Sequence, residues 1–296
     1  MASSPVEMIH PTFLGLASEE SAYAAAGVVL VRAPYDGTTS YVAGARNGPD
    51  AIVAASSQVE LFDHELGSEV WRVGIHTLPS FLPDSSGPGA VVEQVYALCK
   101  GPVDEGKLCF LLGGEHSVST GNARACVERH GEVSFLQIDA HFDLRHSYQG
   151  SRFNHACVAR RLLEWGRVVH VGVRTACPEE LKVVEDHHLA PIWGHEIAEE
   201  PQDVWIERAL TQLGSKVYVT VDVDGLDPSV IPSTGTPVPG GLSWYQTLAL
   251  LRRVGLEREI VGCDLVELAP QADDHRSAFA AALLAYKMIG YFTDGQ

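Results

Sequence analysis

Residues 134–145 read SFLQIDAHFDLR and carry Asp139, His141 and Asp143 within five positions at the end of an apolar run. A buried strand that delivers two carboxylates and an imidazole together is costly unless something compensates their charge. The pattern recurs. LLGGEHS sets Glu115 and His116 just past another apolar run, VTVDVDGLDP sets Asp222, Asp224 and Asp227 past a third, and CDLVELAP sets Asp264 and Glu267 near the end of a fourth. In an extended chain, residues i and i+2 face the same side. Asp139 with His141, and Asp222 with Asp224, can therefore each clasp one site from one strand end, and Asp143 can join from the turn. His116 completes six candidate metal ligands. Four carboxylates this close repel one another, and two divalent cations balance their charge. Carboxylate-rich ligation with some imidazole suits manganese, whereas zinc more often recruits Cys or additional His. Asp227 and Asp264 read as ordinary cap or loop carboxylates, and His10, His64, His130, His187, His188 and His195 as surface or loop residues.

These residues need elements that bring them to one place. Strand candidates are 27–34, 107–114, 133–140, 168–174, 216–224 and 260–268, near-continuous apolar runs of the kind buried on both faces of a parallel sheet. Helical patterns lie between them, including 90–100 and 243–255. In the latter Ser243 is placed to cap and Gly255 to end the helix; a third pattern, 277–292, has Ser277 as a cap candidate. Strand–helix alternation implies an α/β fold with right-handed crossovers and helices on both faces of a mainly parallel sheet. In such sheets ligands bind outside the carboxyl ends of the strands, where almost every unusual polar residue here falls. No linker divides the chain, so residues 1–296 are expected to form a single domain, with 1–25 as an N-terminal arm.

Composition narrows the function. The chain of 296 residues carries 38 acidic and 21 basic residues, a formal net charge of −17. That disfavours nucleic acid and anionic membrane as partners and is compatible with a cationic substrate. No apolar run reaches the ~18 residues of a membrane span, and the N-terminal residues lack a secretory pattern. The six cysteines show no CxxC pair and read as reduced thiols, which points to the cytoplasm.

LLGGEHSVS, QIDAHFDLR, VDVDGLDPSVIPSTGTPVPGGLS and CDLVELAP closely resemble the motifs of the ureohydrolases, the arginase–agmatinase family, and GTTSYVAGARNGPDAI (37–52) resembles that family's N-terminal signature. The resemblance spans roughly residues 30–290. It implies a three-layer α/β/α domain and a two-manganese centre. Motif by motif, it puts His116, Asp139, His141, Asp143, Asp222 and Asp224 in the ligand positions, with Asp139 and Asp222 bridging. It also implies a homo-oligomer, a trimer or hexamer. The implied chemistry is attack by a metal-activated hydroxide on a guanidinium carbon, releasing urea and an amine; coordination can lower the pKa of water from about 15.7 to about 7. Glu267, in DLVELAP, would hold the guanidinium through its planar N–H fork. His155, in RFNHACVARR, would shuttle a proton to the leaving amine.

Within the family, Glu115 and the HACVARR stretch are agmatinase-like, which makes agmatine the expected substrate and putrescine and urea the products. The loop departs from that pattern at His146, Ser147 and Asn154, the last expected near the substrate. A guanidinobutyrase, a proclavaminate amidinohydrolase-like enzyme, an arginase or a formiminoglutamate hydrolase are the alternatives, and an inactive oligomeric scaffold a remote one. An acidic substrate tail would need a cation, for which Arg145 and Arg152 are the first candidates.

Overall fold

The computed structural model describes residues 11–293. Its strands are β1 (Val28–Ala33), β2 (Phe62–Asp63), β3 (Ser68–Glu69), β4 (Ile75–Thr77), β5 (Leu108–Gly113), β6 (Ser134–Ile138), β7 (Val168–Val173), β8 (Ile192–Trp193), β9 (Lys216–Asp222) and β10 (Glu259–Val266). Apart from the β2–β3 hairpin they form one eight-stranded sheet in the order β4-β1-β5-β10-β9-β6-β7-β8, with every pairing parallel. The six apolar runs became β1, β5, β6, β7, β9 and β10. The two edge strands, three and two residues long, are too short to leave a hydrophobic signature.

The helices are α1 (Gly48–Ser56), α2 (Pro88–Asp104), α3 (Ser119–His130), α4 (Val158–Leu162), α5 (Pro178–Asp186), α6 (Gly194–Glu199), α7 (Gln202–Leu210), α8 (Trp244–Glu257) and α9 (His275–Thr293). They cover both faces because strand side chains alternate. Leu108, Phe110 and Leu112 of β5 join the core with α1, α7, α8 and α9. Cys109 and Leu111 point to the second core, with α2, α3 and α4. The result is the expected three-layer α/β/α architecture. Of the stretch read as an arm, residues 1–10, His10 among them, lie outside the described residues; Phe13, Leu14 and Leu16 are buried in the first core. No helix among the described residues is long and apolar enough to cross a membrane.

Two helix ends differ from expectation. Ser243 does cap α8, accepting from the Gln246 N–H while the Gln246 side chain accepts from the Ser243 N–H. Gly255, however, lies inside α8: a Cβ there would stand 2.3 Å from the Tyr291 carbonyl, so the glycine serves close packing against α9, not termination. Ser277 likewise lies inside α9, and Asp274 precedes the helix instead, accepting from the Arg276 N–H and the Ser277 hydroxyl.

The four central strands, β5, β10, β9 and β6, are consecutive in the sheet, so their carboxyl ends open onto one place.

Candidate metal centre

Each of those four ends delivers polar residues. Glu115 and His116 follow β5, Asp139 follows β6 by one residue, Asp222 ends β9, and Glu267 follows β10. Asp224 does not continue the strand; it sits in a 3-10 turn, Val223–Gly225, that the Asp222 carboxylate caps by accepting from the Asp224 N–H at 2.8 Å. Backbone donors aim the other carboxylates: His141 N–H to Asp139 Oδ1 at 2.6 Å and Ala140 N–H to Asp224 Oδ1 at 3.1 Å. This turn lies so close to the end of β6 that a Cβ on Gly225 would meet the Asp139 nitrogen at 2.7 Å. Asp143 and Glu267 adopt φ values of 55° and 65°, a left-handed backbone uncommon outside glycine and less expected of Glu than of Asp. Such strain persists only where the surroundings enforce it, and it gathers at working sites.

The side chains converge in two groups. His116, Asp139 and Asp222 offer ligand atoms within 4.8 Å of one another, and so do Asp139, His141 and Asp224. Asp139 belongs to both. The Asp222/Asp224 pair, expected to clasp one site, divides between the two. Asp143 approaches the first group, its Oδ2 lying 3.0 Å from His116 Nδ1. That nitrogen also lies 3.2 Å from Asp139 and 3.5 Å from Asp222, yet makes no aligned hydrogen bond. Its ring partner Nε2 is 2.8 Å from Thr220 Oγ1, whose own hydroxyl proton goes to Asp264 at 2.6 Å. Nε2 must therefore carry hydrogen as the donor, so Nδ1, which faces the carboxylates, is a lone pair whenever the ring is neutral.

The protein's own cations compensate this cluster only in part. Burial raises the Asp143 carboxyl to about 7, with Asp139 adding to it. Burial, then Asp224 and Asp139, push Asp222 well above the ordinary range. Burial opposes charge on Asp139, but His116 and His141 outweigh it and hold the carboxyl low. The same carboxylates, against burial, raise His116 well above its usual value and His141 to about 12. Two imidazoles, even both protonated, cannot neutralise four ionised carboxylates, and without its second proton the buried His116 ring turns an unpartnered lone pair towards them. Both features fit a pair of divalent cations.

Around the cluster stand residues of other kinds. Glu267 is buried, and one of its oxygens accepts from the His116 N–H at 2.6 Å. Burial and the nearby Glu115 raise its carboxyl well above the ordinary range. His155 Nδ1 lies 3.3 Å from Thr38 Oγ1 and Nε2 3.2 Å from Ser40 Oγ. Thr38 gives its hydroxyl proton to Glu115 at 2.6 Å, so it can only accept from His155; the imidazole then keeps hydrogen on Nδ1 and a lone pair on Nε2. Burial lowers the His155 pKa to about 4. His141, Asp143, His155, Asp222, Asp224 and Glu267 line a cavity of about 240 Å³, and Arg145 and Tyr148 are also on its wall. Arg145 stacks on Tyr148 at 4.9 Å.

Three expectations change. Asn154 is buried and does not line the cavity; its Oδ1 accepts from the Ala156 N–H and holds the short turn that bears His155. Arg152 turns away to Glu164 at 2.8 Å. Asp264 is neither cap nor loop residue: it is fully buried within β10, taking hydrogen bonds from Tyr218 and Thr220 of β9. Asp227 is the loop carboxylate it was read as, accepting from Ser229 and Gly240 N–H groups. Thr38, Ser40 and Thr220 were not singled out in the sequence because a single hydroxyl carries no chemical signal of its own; register reveals the role of Thr220, which lies directly opposite Asp264.

Residues 26–290 match the model of the Arginase family. Over 284 residues the chain is 40% identical to the N(1)-aminopropylagmatine ureohydrolase of Synechocystis sp., covering 93% of this chain and 92% of that protein. It is 33% identical over 271 residues to the agmatinase of Pyrococcus horikoshii, covering 90% and 92%. Among solved structures, the agmatine ureohydrolase of Thermoplasma volcanium aligns with a TM-score of 0.86 at 29% identity, covering 96% of this chain and 95% of that one.

Proposed function

We propose a specific function from one established premise: the chain belongs to the arginase family and is a hydrolase of guanidino compounds. The proposed reaction is hydrolysis of agmatine to putrescine and urea at two manganese ions held by His116, Asp139, His141, Asp143, Asp222 and Asp224. The observation that carries it is the convergence of these six side chains, all but His141 buried, at a cavity whose wall also holds Glu267 and His155. Two divalent cations held by these residues would supply the Lewis acidity that makes a water nucleophilic towards the guanidinium carbon near neutral pH. Glu267, fixed at one oxygen by the His116 N–H, keeps its remaining lone pairs for the guanidinium fork. His155, neutral at physiological pH and unprotonated at Nε2, accepts a proton there and passes it to the leaving amine. A trimeric or hexameric assembly and a cytoplasmic location belong to the same proposal; they rest on the family resemblance and the cysteine pattern.

With Asp143, Asp222 and Asp224 assigned to the ions and Glu267 to the guanidinium, the cavity wall keeps one carboxylate, Glu180, beside one guanidinium, Arg145. Arg145 is engaged by Glu179 and stacked on Tyr148, so the carboxylate of arginine would be desolvated without a dedicated partner. A second reading has an observation of its own: the Synechocystis relative is named for agmatine extended by an aminopropyl group. Urea release from the manganese-loaded protein with agmatine, N(1)-aminopropylagmatine, arginine and 4-guanidinobutyrate tests both readings. We expect one of the two amine-tailed substrates to exceed arginine in kcat/KM by about a hundredfold or more, the scale of an unpaired buried charge. A preference for 4-guanidinobutyrate would overturn the reading and assign Arg145 to a carboxylate tail.

A further inference from the structure

A second cavity, of about 200 Å³, lies between α2, α3 and α4, lined by Thr120, Arg124, Phe153, Arg161 and Trp165 among others. Arg161 is 3% exposed, and none of its three guanidinium nitrogens has a hydrogen-bond acceptor. A guanidinium carries five N–H donors, and burying them unpaired is among the costlier arrangements a fold can hold. Among the described residues its one ionic contact is Glu164 Oε1 at 3.2 Å, and that oxygen is already taken by Arg152 at 2.8 Å. The third guanidinium, Arg124, is satisfied by Glu93 and Glu128 and stacks on Tyr96. With Glu128 counted beside Glu93 and Glu164, the three arginines at 124, 152 and 161 are matched in number, so the unmet need of this cavity is the set of Arg161 donors.

We propose that this cavity is a binding site for a small oxyanion, with Arg161 as its principal ligand. A planar guanidinium matches the paired oxygens of a carboxylate, sulfate or phosphate group, and such charge-assisted pairs are the strong ones. The anion takes over the donors that Glu164, shared with Arg152, leaves unsatisfied. Arg152 and Phe153 on the wall immediately precede Asn154 and His155, so the anion sits behind the loop that carries the candidate proton shuttle. The site does not depend on the reaction proposed above.

Sulfate, titrated calorimetrically into the manganese-loaded protein at constant ionic strength, is the probe. Thermal stability is not the readout, because sulfate stabilises folded proteins generally by exclusion from their surfaces. We expect saturable binding that weakens about tenfold or more in Arg161→Gln, the scale of a charge-assisted hydrogen bond. Glu164→Gln should tighten it, since it removes the competing carboxylate; a purely structural role for Arg161 predicts no such gain. Should Arg161→Gln not fold, Glu164→Gln and Arg152→Gln, expected to shift affinity in opposite directions, decide the matter. Absence of saturable heat, or equal affinity in the wild type and these variants, overturns the proposal. So does a change in sedimentation coefficient of Arg161→Gln with sulfate affinity unchanged, which would give the cavity to a carboxylate of a second copy of the chain.

Discussion

Thr38 has one hydroxyl proton and Glu115 takes it; Thr220 has one and Asp264 takes it. Each threonine thereby becomes an acceptor towards a histidine, and each histidine's free lone pair is assigned. Such outer partners orient metal ligands and govern their affinity. Asp264→Asn, which weakens the acceptor behind Thr220, is expected to lower manganese affinity by about tenfold, measured by calorimetry. Affinity unchanged within twofold would make Asp264 a packing residue. Glu267→Gln separates binding from metal holding: kcat/KM should fall by at least about tenfold with metal content intact, since one charge-assisted pair is lost. Collapse of metal content would instead place Glu267 among the ligands. The six candidate ligands and Glu267 could be picked out because G-G-E-H, D-x-H-x-D, D-x-D and DLVEL are compact patterns at the ends of apolar runs. The division of Asp222 and Asp224 between two groups was not, because a 3-10 turn interrupts the extended geometry assumed for the pair.

At the scale of elements, legibility followed length and chemistry. Long strands buried on both faces declare themselves; β4 and β8 do not, and Gly255 looked like a helix stop because close helix–helix contact leaves the same residue type as termination. β7 holds a residue that no motif marks. His170 is 1% exposed, and burial lowers its pKa to about 4. The unfolded chain binds a proton near pH 6.5 that the folded chain refuses until about pH 4, so His170 makes stability rise with pH across that window and fall as pH drops through it. The effect approaches about 3 kcal/mol for a shift of this size. Denaturant unfolding of wild type and His170→Gln at several pH values should show the difference between them changing mainly from about pH 6.5 to 4, and a constant difference would contradict the shift.

For the whole molecule, cations that bind the folded chain and not the unfolded one add stability, about 4 kcal/mol at a thousandfold excess over Kd. Manganese should therefore raise Tm and a chelator lower it, with close to two ions per chain by metal analysis; a Tm indifferent to both would count against the centre. The strand order carries one more consequence. β10, the last strand made, pairs with β5 on one side and β9 on the other. Before residues 259–266 leave the ribosome, the sheet exists only as two unjoined pieces, β4-β1-β5 and β9-β6-β7-β8, each with a bare, apolar, hydrogen-bonding edge. The nascent chain carries the β5 edge from residue 113 onward and the β9 edge from residue 222, both exposed to mispairing and aggregation until β10 is made. Insertion of one late strand then closes both at once and, in the same step, brings Glu267 to the ends of the other three central strands.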